Sequence, residues 1–309
     1  MRQWMKGREA WIVPALVAAA IRLVHLAFLA INDPLFTKPV VDAWFHWDEA
    51  RRILQDGWLL SGEGAFYKGP FYSYVLAVVR AVFGDPGGVV AGRVLNVVMG
   101  SAAVALLARL AGKWAGPRAS WLAGIVAAVY GTSIYYDTTL LQPAITALLM
   151  LGTASVLDEA ARSVAPDRWL AAAGVLLGLL TITRGEGLVA LLMVTAWAAG
   201  KTFHADWQQL SRLRAMALVL VPGVLTIAPV TTRNAILEHD PVLISWNGGI
   251  NLFMGNDAGF DQTSGQWHPD LAWMRLYYAP PLMGGTVRAD HQRFFLHQTR
   301  LMFQAEPGA

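Results

Sequence analysis

Between Val41 and Gly84 the sequence reads VDAWFHWDEARRILQDGWLLSGEGAFYKGPFYSYVLAVVRAVFG. This sets Asp42, His46, Asp48 and Glu49 among tryptophans and arginines, directly after one long apolar run and before several more. Carboxylates and imidazoles exchange protons and bind cations. A loop needs no such cluster merely to cross a membrane surface, so this stretch is the candidate reaction site. Its members differ in kind. Asp48 and Glu49 stand three or four residues before Arg51 and Arg52, the spacing of helical ion pairs, which predicts a solvated amphipathic face. His46 with the nearby carboxylates offers metal donors, but no HExxH or comparable ligand spacing supports a metal site. No cofactor is firmly implied, a divalent metal being the one open alternative.

The elements that must position this cluster are apolar. The chain has 309 residues, of which 55% are hydrophobic and 15% charged, with a mean hydropathy of +0.42. An average soluble protein carries about 25% charged residues. The apolar runs are about 15 to 30 residues long and rich in Ala, Leu and Gly, too long for buried strands. The chain is therefore expected to be an all-α polytopic membrane protein. It has no cysteine, which excludes disulfides, thiolate metal sites and cysteine nucleophiles. The pI near 9.3 does not point to nucleic acid, because the basic residues lie mostly in short loops between apolar runs, as the positive-inside rule places them.

Counting spans orients the chain. MRQWMKGRE is a basic start and residues 11–31 form a first span long enough to be an uncleaved signal anchor. Arg2, Lys6 and Arg8 are then cytoplasmic and the Asp42 loop extracytoplasmic. Arg22 and His25, three apart in this span, share one face and read as an interior polar pair. Residues 70–84 are too short to span and predict a helix along the outer interface. A span at 89–111 exits at Lys113 and Arg118, and 119–134 returns outward to bring Tyr135, Tyr136 and Asp137 to the side of Asp42. The next span, 140–157, ends before Arg162 and Arg168. Two short helices follow, broken at Thr183-Arg184-Gly185-Glu186-Gly187, where Arg184 and Glu186 lie either in a polar recess or on a plain hairpin tip as a pair. The last span, 215–232, contains Pro222 and Pro229. This gives about seven spans in residues 1–232, an outer first loop at 32–88 with interfacial helices, and a large polar, Gly-rich outer loop at 233–309. The chain stops at AEPGA with no closing element, as expected of a fragment of a longer protein.

The run from Asp42 to Gly84 resembles the first extracytoplasmic loop of the family 39-like, GT-C-fold glycosyltransferases, the broad group holding protein O-mannosyltransferases and the aminoarabinose transferase of lipid A. The matching elements are Asp42, then Ala50-Arg51-Arg52-Ile53, then Lys68-Gly69-Pro70-Phe71-Tyr72. Tyr135-Tyr136-Asp137 is similar to the family's second acidic position, and Thr183-Arg184 to its Thr-Arg-Pro turn. Arg233-Asn234, Asn247-Gly248-Gly249-Ile250-Asn251 and Gly255-Asn256 resemble the loop after the seventh span. Where many members have Asp-Glu this chain has Asp42-Ala43, it has Gln142 near a family Glu, and Gly185 replaces the Pro after the arginine.

The resemblance implies transfer of a sugar from a polyprenyl phosphate to an unidentified glycan, lipid or protein acceptor, at the extracytoplasmic face of the cell (inner) membrane. Such a reaction needs a base for the acceptor proton and cations for the departing phosphate. Asp42 suits the base, beside Trp44 and Phe45. Lys68 and Arg184 suit the lipid phosphate, although Lys68 alone also reads as a snorkelling interface lysine. Asp137 steers the acceptor, assists Asp42, or pairs with a cation. Tyr72, Glu186, Asn247 and Asn251 are weaker candidates for substrate binding. The competing readings are a lipid-linked sugar transporter or flippase, which calls for polar residues through the membrane depth and repeat symmetry, and a non-catalytic membrane scaffold.

Overall fold

The computed structural model describes residues 8–201, 210–256, 280 and 287–305. Arg2, Lys6 and most of the Gly-rich stretch after Asn256 lie outside the described residues. All regular structure among the described residues is helical. Four helices are long and apolar enough to cross a membrane: α1 (Glu9–Asn32), α4 (Gly87–Ala115), α7 (Pro143–Arg162) and α10 (Arg212–Thr232), the last prolonged by a π-helical turn over Arg233–Leu237. The chain is thus a polytopic integral membrane protein.

Contacts divide the chain into two compact units, Met1–Trp58 with Pro70–Thr226, and Leu59–Gly69 with Ile227–Ala309. The boundary read from the sequence stood at residue 232, with 59–69 on the other side of it. The first unit holds α1, α4, α7 and most of α10, together with α2 (Val41–Gln55), α3 (Phe71–Phe83), α5 (Pro117–Val129), α6 (Gly131–Asp137), α8 (Asp167–Thr183) and α9 (Gly187–Lys201). Of the expectation for 70–84, the helix itself is present as α3, framed by Pro70 before it and Gly84 after it. The return run expected at 119–134 is split in two, because Tyr130 takes an extended ψ of 107° between α5 and α6.

Small residues let these helices approach, as bilayer-spanning helices require when apolar burial gives them no driving force. A Cβ at Gly174 on α8 would lie 2.2 Å from the Val219 carbonyl oxygen of α10. At one end of the bundle, Lys113 Nζ binds Asp158 Oδ2 at 3.0 Å and Glu159 Oε1 at 2.5 Å. Ser120 Oγ donates to the Ala10 carbonyl at 3.1 Å, and Arg162 and Trp114 close on Asp158. These are the basic loops of the span count, and charges of both signs satisfy one another there.

In the second unit, Arg233 is buried and donates to the carbonyls of Leu59 (2.8 Å), Leu60 (2.5 Å) and Gly64, with its guanidinium 4.4 Å from the Phe66 ring centroid. Glu238 accepts from the Gly62 and Gly64 amides at 3.0 and 2.7 Å. One ion pair, Arg233 with Glu238, therefore holds both polarities of the 59–64 backbone. Asp240 caps α12 (Arg288–Ala305) through the amides of Arg288 (2.7 Å) and Ala289 (2.8 Å). The Asn247–Asn256 segment, read as loop, is helix α11, in which a Cβ at Gly249 would come 2.7 Å from the Gln292 carbonyl oxygen.

Candidate active site

The first unit gathers polar side chains from α1, α2 and α4 onto the short turn between α6 and α7. Thr138 and Thr139 end α6 by turning their hydroxyls back onto the carbonyls of Tyr135 and Tyr136, at 2.9 Å each, and Pro143 opens α7. The turn's carbonyls then need outside donors. Arg93 Nη1 supplies one to Thr138 O at 2.7 Å, and Asn96 Nδ2 reaches Thr139 O at 2.5 Å and Leu141 O at 3.2 Å. Its side chains are held as well. Arg22 Nε donates to Asp137 Oδ2 at 2.7 Å, His25 Nδ1 lies 2.9 Å from Thr138 Oγ1, and Gln142 Nε2 lies 2.8 Å from His46 Nε2.

Asp137 is almost sealed, at 5% exposure. Gly100 of α4 makes room for it, since a Cβ there would meet Asp137 Oδ2 at 2.1 Å. Arg22, 1% exposed, also donates from Nη1 to Ala18 O at 3.3 Å and to Ala128 O at 3.1 Å, so guanidinium and carboxylate are both satisfied. Among the three roles open to Asp137 in the sequence, pairing with a cation is realised. A largely apolar cavity of about 310 Å³ borders this pair, with Gly100, Ala103, Tyr136 and Pro143 in its wall.

Asp42 stands in a contrasting place, exposed on the first turn of α2, where the helix dipole favours a carboxylate. The preceding Val41 has φ +53°, a left-handed conformation that a β-branched residue adopts only when its surroundings force it. Asp48 makes the predicted ion pairs, 2.7 Å to Arg51 and 3.4 Å to Arg52. Glu49 departs from expectation: it is 3% exposed, because with His46, Ala50 and Ile53 it falls on the face of α2 turned inward. His46 continues that face to Ser73 Oγ on α3 at 2.9 Å, and Arg80 of α3 donates to Trp47 O at 2.9 Å while stacking on its ring at 4.6 Å.

The remaining sequence candidates are dispersed. Tyr72 is fully buried, its hydroxyl 2.9 Å from Asn96 Nδ2, and burial pushes that hydroxyl's pKa up. Arg184 and Glu186 form a pair at 3.2 Å on an exposed tip between α8 and α9, with side chains 49% and 74% exposed. Burial raises the Glu186 carboxyl, but hydrogen bonds from Arg184 and its own backbone, with the Arg184 charge, bring it below the ordinary Glu value. In the second unit Lys68 is half-buried, Asn247 accepts from Ser245 Oγ at 3.2 Å and Asn251 is exposed. Among the described residues no group of three or more His, Cys, Asp or Glu side chains is placed to hold a metal ion. Both ring nitrogens of His46, the metal donor considered from the sequence, face Ser73 and Gln142.

Sequence reasoning missed Arg93 and Asn96. The signal was present, since both are polar residues inside the apolar run 89–111, where such residues rarely sit without a task. A family model described as dolichyl-phosphate-mannose-protein mannosyltransferase matches residues 67–231, just over half of the chain. No curated protein and no solved structure matches it.

Proposed function

Because the chain belongs to the dolichyl-phosphate-mannose-protein mannosyltransferase family of glycosyltransferases, we propose that it moves a sugar from a polyprenyl-phosphate donor to an acceptor on the extracytoplasmic side of the membrane. The observation that carries this reading is the family match itself, which spans Lys68, Tyr72, Asp137 and Arg184 in one continuous stretch. Asp42 lies ahead of that stretch, and its role rests on the loop motif and on its exposed place beside the strained Val41. In this reading the chain crosses the membrane about seven times, with α5 and α6 together, α8 and α9 joining the four long helices. The basic end with Lys113 and Arg162 faces the cytoplasm.

Asp42 is the general base. It accepts the proton of the acceptor as that atom attacks the anomeric carbon, while the bond from that carbon to the phosphate oxygen breaks and its electron pair leaves on the phosphate. Arg184 is proposed to stabilise the departing anion from the α8–α9 tip, and Lys68 is proposed as a phosphate cation to be tested by its own variant. Asp137 acts through the turn it anchors. The test supplies the purified protein with a polyprenyl-phosphate sugar and detects glycosylated acceptor by mass spectrometry. Appearance of free polyprenyl phosphate with glycosylated product supports the transferase. Movement of intact donor across a vesicle membrane without cleavage would establish the transporter reading instead.

A further inference from the structure

Arg93 is a buried cation with no ion pair among the described residues, the Asp33 carboxylate acting on its charge only from beyond ion-pair distance. It is 6% exposed, its Nη1 donates to the Thr138 carbonyl at 2.7 Å, and its Nε has no hydrogen-bond partner. No carboxylate lies within ion-pair distance of it among the described residues, whereas Arg22, equally buried, has Asp137. What surrounds Arg93 offsets only part of its charge. A carbonyl at the end of a helix contributes about half an elementary charge at most. The Phe36 ring, whose centroid lies 4.8 Å away, contributes a quadrupole rather than an anion. Buried charges are retained when something pairs with them.

The position of Arg93 says what that something is. Helix α4 has 29 residues and so runs about 43 Å, against a hydrocarbon thickness of about 30 Å. Arg93 is six residues from its start, about 9 Å along, which sets the guanidinium near the boundary between hydrocarbon and headgroups. Directly beside it on the same helix, Val90, Val94 and Val98 form an exposed stripe, and Phe28 and Ile31 of α1 are exposed as well. Phe36 packs with Leu26 and Val97 just below the guanidinium. A cation at headgroup level with an apolar stripe running inward from it matches a ligand with a phosphate and a hydrocarbon tail.

We infer that Arg93 holds the phosphate of a membrane lipid, whose tail lies along Val90, Val94 and Val98. The site rests on the transferase reading only for which lipid occupies it. It is distinct from Arg184, whose charge Glu186 already meets.

The test uses the full chain in non-ionic detergent, with farnesyl phosphate, farnesol and inorganic phosphate as probes in calorimetric titration. Farnesyl phosphate is expected to bind, and Arg93→Gln to weaken it by about tenfold or more, the loss expected for one charge-assisted contact. Arg93→Lys, which keeps the charge, is expected to stay within about threefold of the parent. Farnesol is expected to bind equally to all three. An Arg93→Gln protein that binds farnesyl phosphate as the parent does overturns the inference, and so does inorganic phosphate binding as tightly as farnesyl phosphate. If Arg93→Gln does not fold, Val94→Cys decides in its place, because the native chain has no cysteine. Farnesyl phosphate, but not farnesol or inorganic phosphate, should slow maleimide labelling of that thiol by about fivefold or more, and absence of protection overturns the site. None of these readouts involves turnover, so a protein that binds the lipid but transfers no sugar would refute the transferase reading and leave the Arg93 site standing.

Discussion

The two acidic positions that the sequence brings forward have opposite surroundings. Asp42 projects from the first turn of α2, exposed, behind a valine in a strained conformation. Asp137 closes α6 in a nearly sealed niche, with Arg22 on its carboxylate and Gly100 against it. A carboxylate that must take a proton from an incoming molecule has to be reachable by it. One locked into a guanidinium pair is already committed, and its energy goes into the turn that Arg93, Asn96, His25 and His46 also grip. On the proposed reading, the difference gives Asp42 the place of a group that exchanges a proton and Asp137 that of a group that shapes the site.

The largest expected effect breaks or confirms the first half of that contrast. Asp42→Asn keeps shape and hydrogen bonding but cannot accept a proton, so turnover should fall by roughly 10²- to 10⁴-fold with donor binding preserved. If the carboxylate instead held a metal, the same change would remove metal binding and chelators would inhibit the parent. Turnover within about threefold of the parent would exclude Asp42 as the base and shift attention to Asp137.

The second test addresses the committed carboxylate. Arg22→Met leaves Asp137 buried without its cation, and breaking a buried pair costs about 3 to 5 kcal/mol. Unfolding in detergent should show a loss on that scale for Arg22→Met. The double variant Arg22→Met/Asp137→Asn should lose less than the two single losses added together, because the partners share one interaction. Strict additivity, or a loss below about 1 kcal/mol, would mean that the pair is not what anchors the turn.

How far this contrast was readable in advance depends on distance along the chain. Helix α3 was visible as a short apolar run between Pro70 and Gly84, and the α8–α9 break was visible at Thr183–Gly187, because both signals are local. The three-residue spacing of Arg22 and His25 showed that they share a face. Their partners Asp137 and Thr138 are 115 and 113 positions away, and nothing in a single sequence fixes the register between two helices so far apart. Glu49 misled for a different reason. Its spacing from Arg52 suits a solvated face, but its spacing from His46 and Ile53 suits a buried one, and the packing of α2 selected the second. The glycines and asparagines of 247–256 favour loop by propensity, yet docking on α12 makes the segment helical, tertiary contact overriding a weak local preference.

Arg184 adds a third case, an exposed cation that already has Glu186 as its partner. If it meets the donor phosphate, Arg184→Ala should weaken donor binding by about 1.5 to 3 kcal/mol, the scale of a charge-assisted hydrogen bond. Lys68→Ala carries the same expectation for its own contact. Unchanged affinity in both would leave Arg93 as the cation to examine for the phosphate.

The smallest effect concerns the partner of Arg184. Glu186 is 74% exposed, so solvent screens its pair, and Glu186→Gln should change stability by less than about 0.5 kcal/mol. The pH dependence has a definite sign. The Glu186 carboxyl lies below its ordinary value of 4.5 in the folded protein, so the ionised form favours folding. Its contribution is complete above pH 4.5 and fades as the pH falls through the lower folded value. Glu186→Gln should therefore lose that small contribution above pH 4.5, remove the slope it gives the profile in the acid segment, and match the parent at the lowest pH. Its effect on donor binding should run the other way from that of Arg184→Ala. Removing the carboxylate frees the guanidinium for a phosphate, so affinity should rise slightly or hold. A loss of affinity in Glu186→Gln comparable to that of Arg184→Ala would show that Glu186 itself contacts the donor, and Arg184 would then be acting as its counter-ion, the relation that Arg22 has to Asp137.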